Sequence, residues 1–278
     1  VIEAFFLPVE HGPVDARARF CVYRAPAAGP VRAAVLLAPP FAEELNKCRR
    51  MLALQAQALA DAGFAVLQLD LAGCGDSGGE LAQMRWDDWI EDLAHAARWL
   101  SQRSGAPLVL WGVRAGCLLL SPLWARLPVA PAAVLCWQPS PEGRQVLQQF
   151  LRTKVVGDAL AGAGSGVMSE LKQALAAGEP VTVAGYVLPA DLADGLGSAV
   201  FSAPAAGICP SIWIEVSAKE GSALSPAGVR AATAWRQAGW QVDHTVVHGP
   251  AFWQSTEIET APALLEATTQ ALSARLSP

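Results

Sequence analysis

Charge is scarce in this 278-residue chain: only 16% of its residues are Asp, Glu, Lys or Arg, against 53% that are apolar. So small a charged fraction excludes a disordered chain and leaves ample material for a large core. What charge there is leans acidic, net −5, and no basic run is longer than Arg49-Arg50, so the electrostatic footprint of a nucleic-acid binder is missing. Long apolar runs are missing too. Charge, Gly or Pro interrupts each one well short of the roughly 18–20 residues that span a bilayer, and the positive mean hydropathy reads as buried sheet, with no membrane span. The six cysteines, Cys21, Cys48, Cys74, Cys117, Cys136 and Cys209, include no C-x-x-C pair. That argues against zinc and against a disulfide-stapled fold, so reduced thiols, a cytoplasmic location, no metal and no cofactor are expected. The N-terminal VIEAFFLPVEHG has neither a basic start nor a small-residue cleavage site and does not read as a secretory signal. No internal repeat stands out at a solenoid period.

What is present is an alternation of short apolar runs with longer 3.6-period segments from about residue 32 onward. The runs at 33–40, 64–71, 107–113, 132–140, 211–217 and 241–249 predict strands. The segments at 46–63, 86–102, 115–127 and 262–276 predict helices. Near-continuous apolar strands alternating with helices imply a mostly parallel sheet covered on both faces, an α/β fold. IEAFFLPV and ARARFCVYRAP, joined by HGPVD without a helix, predict an antiparallel start to that sheet. From about 142 to 208 the rhythm breaks into EGRQVLQQFLRTKVV, a Gly/Ala-rich span, SELKQALAAG and VTVAGYVLPADLADGLGSA. This predicts a cap insertion within a single domain covering 1–278.

Ligands of open α/β sheets bind at the carboxyl ends of the strands. Five loops there carry chemistry: PPFAEELNK, DLAGCGDSGG, GVRAG, VSAKEGSALSP and HGPAFW. In this order they resemble the α/β-hydrolase fold over essentially the whole chain, where a strand-turn-helix with G-x-S-x-G exposes a nucleophile and an acid and a histidine follow. The finer similarity is to the second class of exosortase A system-associated hydrolases, found in bacteria that make exopolysaccharide and sort proteins with a short C-terminal anchor. It rests on PPFAEELNKCRR (39–50), WQPSPEGRQVLQQFLR (137–152) and GPAFWQSTEIETAPALLEAT (249–268). The resemblance implies hydrolysis and does not name a substrate.

The turn Gly112-Val113-Arg114-Ala115-Gly116 departs from that pattern, because Arg114 stands where the serine is expected. A guanidinium stays protonated and cannot attack a carbonyl. Ser121 and Cys117 lie deeper in the following helix and read as packing. The acid position fits Glu220, which reads equally as a solvated loop carboxylate beside Lys219. No histidine follows the last strand where one is expected, at Gly249 to Phe252. His248 comes nearest, with His244 facing the same way by period two, and His11 and His95 read as loop and helix-surface residues.

The resemblance places oxyanion donors at Ala115 and at Phe41 or Ala42. Arg114 adds a positive fork to that turn, so the expected ligand is a small molecule that is anionic or acyl-containing. A buried arginine needs a partner, and Glu43, Glu44 and Glu220 are the candidates to neutralise it or to activate a water. Trp137, Trp253 and Phe252 are the candidate apolar walls, and Arg144 and Arg152 could add charge near the cap. Two readings stay open: a hydrolase-like site of nonstandard chemistry, or a catalytically silent binding or scaffold protein, with a homodimer kept as an option.

Overall fold

The computed structural model describes residues 1–10, 16–160, 166–205 and 209–276. The strands are β1 (Ile2–Pro8), β2 (Ala18–Arg24), β3 (Ala34–Ala38), β4 (Ala65–Leu69), β5 (Leu108–Val113), β6 (Ala133–Trp137), β7 (Val181–Val183), β8 (Tyr186–Leu188), β9 (Ser211–Ser217) and β10 (Val242–His248). The helices are α1 (Glu43–Asp61), α2 (Trp86–Ser104), α3 (Leu120–Trp124), α4 (Gly143–Leu160), α5 (Val167–Ala176), α6 (Ala190–Ser198), α7 (Pro226–Gln237) and α8 (Pro262–Arg275).

Eight strands form one sheet in the order β1-β2-β4-β3-β5-β6-β9-β10. β2 pairs antiparallel with both β1 and β4, which is the antiparallel start expected from the helix-free HGPVD connection. Every other pairing in the sheet is parallel. The central strands AVLLA, LVLWGV and AVLCW are buried at every position, because helices lie on both faces of the sheet. On one face, α1 and α8 bury Met51, Leu52, Leu264 and Leu272 against Val35, Val109 and Leu135. On the other, α2, α3 and α7 bury Leu93, Leu123 and Trp235 against Leu36, Leu110 and Trp213. β2 is half-covered and alternates, with Cys21 and Tyr23 buried while Phe20, Val22 and Arg24 stay partly open. Between β6 and β9 come α4, α5, a β7-β8 hairpin and α6. The hairpin turns on Ala184 and Gly185, both at positive φ, the backbone that a two-residue turn needs to match strand twist.

Two boundaries differ from the expected ones in ways that matter. α1 begins at Glu43, three residues before Asn46, so Glu43 and Glu44 lie in its first turn and not on a loop. Carboxylates there face the positive end of the helix dipole, which favours the earlier start. After β5 the expected helix over 115–127 is a 3-10 turn, Arg114–Leu119, followed by the five-residue α3. Pro122 has no N–H to donate back to Leu118, so an α-helical ladder cannot run through this stretch.

Candidate functional site

The sharp turn after β5 falls on Arg114, at φ +54°. A side chain on a left-handed residue costs ~1–3 kcal/mol of strain and persists only when its surroundings fix it. Ala42 (φ +49°) and Gln138 (φ +44°) also have positive φ, so three of the four non-glycine residues described at positive φ sit in the loops that follow β3, β5 and β6. The strain is concentrated at one place in the fold. The two glycines of the turn are there for close approach. A Cβ on Gly116 would lie 2.1 Å from the Ala38 carbonyl oxygen, and one on Gly112 would lie 2.9 Å from Cys117 Cα.

Arg114 is held on three sides. Its Nη2 donates to Glu44 Oε1 at 2.9 Å and its Nε to Glu44 Oε2 at 3.2 Å, a two-pronged pair with side chains 12% and 25% exposed. Its Nη1 reaches the Gln138 carbonyl at 3.5 Å, and the guanidinium carbon lies 5.1 Å from the centre of the Trp253 ring. Gln138 is itself fixed, since its N–H donates to the Ile214 carbonyl and its side-chain oxygen accepts from the Val216 N–H at 2.8 Å. The Arg114 carbonyl accepts from the Ser140 N–H. The elbow is thus joined to α1, to the end of β6 and to the loop after β10.

The other candidates separate. Glu43 turns away from Arg114, and its Oε2 accepts from Asn46 Nδ2 and from the Tyr186 hydroxyl, both at 3.1 Å. Tyr186 lies on β8, so this contact ties α1 to the β7-β8 hairpin; burial, with Glu43 beside it, pushes the phenol pKa up to about 12. Glu220 is exposed in the loop after β9, and His248 is exposed at the end of β10. Among the described residues neither side chain makes a hydrogen bond or ion pair, with each other or with Arg114. His244 is exposed with Nδ1 3.2 Å from Arg236 Nη2, His95 is partly buried on α2, and His11 lies outside the described residues. The structure therefore brings together Arg114, Glu44 and Trp253 but not Glu220 or His248.

Trp137 is corrected from a crevice wall to a core residue: it is 1% exposed, donates from Nε1 to Thr268 Oγ1, and packs on Trp111 beneath the α1/α8 face. β6 alternates its faces, and position 137 points away from the crevice. Cys117 is buried, as its packing role requires, and Ser121 is partly buried on α3. Arg144 pairs with Glu142 at the surface and Arg152 is exposed. Phe41 is buried between Trp89 and Phe150, while Phe41 and Ala42 donate no backbone hydrogen bond among the described residues. Phe41, Ala42 and Ala115 together line a cavity of only about 10 Å³, roughly the space of one water. A neighbouring crevice toward Tyr186 and Arg49 measures about 80 Å³.

Two residues were not signalled by the sequence. Gln138 follows a strand without any motif to mark it. Glu215, inside an apolar strand, is buried and accepts from Ser225 N–H and Oγ, which fixes the start of α7. The DLAGCGDSGG loop is structural: Asp70 accepts from the Asp76 N–H and pairs with Arg49, and Ser77 bridges the Asp70 carbonyl to the Phe20 N–H.

Among the described residues no helix is long and apolar enough to cross a membrane, and no cluster of His, Cys, Asp and Glu is placed to hold a metal. Residues 29–156 match the Hydrolase_4 model, serine aminopeptidase, S33. No curated protein sequence matches the chain. Among solved structures, Est1E from Butyrivibrio proteoclasticus with bound ferulic acid is similar at a TM-score of 0.65 and 12% identity, covering 94% of this chain and 96% of that one. A putative hydrolase from Agrobacterium vitis S4 is similar at 0.61 and 18% identity, over 100% of both chains. XC6422 from Xanthomonas campestris, described as an a/b serine hydrolase without lid, is similar at 0.59 and 15% identity, over 100% of this chain and 96% of that one. The sheet order, the elbow after β5 and these likenesses agree: the protein has the α/β-hydrolase fold.

Proposed function

We propose that this chain is a binding protein built on a hydrolase fold and not a serine hydrolase, taking an acidic or acylated small molecule at the Arg114 elbow. The observation that carries this reading is the Arg114–Glu44 pair. The position that would present a nucleophile holds a permanent cation, and the carboxylate nearest to it is occupied in neutralising that cation. A water-activating role for Glu44 would require it to leave Arg114. Glu43 is engaged by Asn46 and Tyr186, and Glu220 stands in solvent. Arg114 keeps ligand capacity at Nη1, whose one hydrogen bond among the described residues is a 3.5 Å approach to a carbonyl and which could donate to a carboxylate or an acyl oxygen.

The three stretches similar to the second class of exosortase A system-associated hydrolases support placing the chain in that class. Glu44, Gln138 and Trp253, the three residues around Arg114, come one from each of those stretches. On this reading the distinctive stretches are the cage of the arginine, residues 142–208 act as a cap above it, and the protein serves an exopolysaccharide or protein-sorting process. The test is thermal stability with dodecanoate, galacturonate or inorganic phosphate. At least one should raise Tm in the wild type and lose that effect in Arg114→Ala; no shift with any of them, or shifts that survive Arg114→Ala, would overturn the reading.

A further inference from the structure

A second polar constellation lies on the far side of the β3 loop, between α1 and the flank of the sheet. It surrounds a cavity of about 210 Å³ with apolar walls that include Phe20, Val22, Leu37 and Leu52. Four polar side chains enter it: Arg24 from β2, Gln68 from β4, Arg49 from α1 and Asp70 after β4. Asp70 is already satisfied, with Arg49 Nη1 at 3.1 Å on one oxygen and the Asp76 N–H at 3.0 Å on the other. Arg24 is not. Its Nη1 donates to the neutral Gln68 side chain, its Nε is buried without an acceptor, and no carboxylate pairs with it among the described residues. A partly desolvated guanidinium with no counter-charge is costly, and that burial pushes its pKa down. An anion entering the cavity would supply the missing counter-charge.

We propose that this cavity is a binding site for a small carboxylate carried on a compact apolar body, such as an aromatic or branched-chain acid. Arg24 takes the carboxylate through Nη2, the guanidinium nitrogen not engaged by Gln68 and not buried, Arg49 adds positive charge at the rim, and the Phe20 side packs on the apolar body. The net charge of the lining, two arginines against one aspartate, selects against neutral and cationic molecules of the same shape. The volume is below the roughly 300–1,000 Å³ of drug-sized sites, which limits the ligand to about one ring or a short branched chain. The site is separate from the Arg114 elbow and does not depend on the function proposed for it.

Calorimetric titration with benzoate tests this directly. Benzoate should bind the wild type, and Arg24→Gln should weaken it at least tenfold, the loss expected for a charge-assisted hydrogen bond. Arg49→Gln should weaken it by a smaller factor. Benzamide, the neutral isostere, should not bind. Ala53→Trp, on the partly exposed lining of α1, should block binding while leaving the fold intact by circular dichroism, which keeps the test valid if Arg24→Gln proves unstable. No heat with benzoate, equal binding of benzamide, or benzoate binding that is lost in Arg114→Ala and kept in Arg24→Gln would overturn the proposal.

Discussion

Breaking the pair at the elbow is expected to cost stability in a coupled way, and its size can be worked from the geometry. Three charged contacts join Arg114 and Glu44, at 2.9, 3.2 and 3.3 Å, the last two sharing Nε, with the side chains 12% and 25% exposed. Fully exposed pairs are worth ~0–1 kcal/mol, and charge-assisted bonds away from water ~1.5–3 kcal/mol. Partial exposure places the coupling between these, at about 1–2 kcal/mol. Arg114→Ala also forfeits the stacking on Trp253, while Glu44, a quarter exposed, recovers some hydration, so the single substitution should cost about 2 kcal/mol. Glu44→Ala strands the more buried guanidinium and should cost at least as much. Urea unfolding of wild type, both single variants and the double variant gives the coupling directly. A coupling within about 0.5 kcal/mol of zero would refute the claim that the two residues act as one unit.

Arg114→Ser should restore the motif without restoring activity. His248 and Glu220 are exposed and unconnected to the elbow, so a fluorophosphonate probe should label neither this variant nor the wild type, as read by intact mass. Gly116→Ala drives a Cβ to 2.1 Å from the Ala38 carbonyl oxygen and should destabilise by about 3 kcal/mol in thermal or urea unfolding; a neutral result would mean that the strand-to-turn approach is looser than described. The raised pKa of Tyr186, about 12, makes folding stability fall as pH rises from the unfolded phenol value of about 10 to about 12, because the unfolded state loses its proton first. Tyr186→Phe should remove that slope. Burial also pushes the thiols of Cys21, Cys74 and Cys209 up to about 12, so a thiol reagent at pH 8 should react slowly with the native protein and fully in urea.

The parts of this fold that were legible in the sequence are those where one physical signal dominates. LVLWGV and AVLCW announce buried strands because helices on both faces require apolar residues in unbroken runs. The start of α1 was missed because Glu43 and Glu44 continue no apolar period, and the helix dipole that holds them there leaves no spacing to read. The elbow could be located from Gly112 and Gly116, and the need of Arg114 for a carboxylate follows from the cost of burying its charge. Which carboxylate answers depends on the three-residue shift in α1 that points Glu44 inward and Glu43 toward Tyr186. Gln138 contributes through its backbone carbonyl, which no side-chain pattern encodes. Trp137 and Trp253 look alike as candidate walls and both are buried, 1% and 4% exposed; the facing of β6 turns Trp137 away from Arg114, while Trp253 packs on its guanidinium.

The central claim is that the elbow binds and does not hydrolyse. Wild-type protein incubated with a panel of aryl esters and acyl thioesters tests it most directly, with product release followed against a buffer blank and against Arg114→Ala and Glu44→Ala. Rates at the blank level are expected for all three proteins. Wild-type turnover above the blank that disappears in Arg114→Ala or Glu44→Ala would contradict it and assign catalysis to the pair itself.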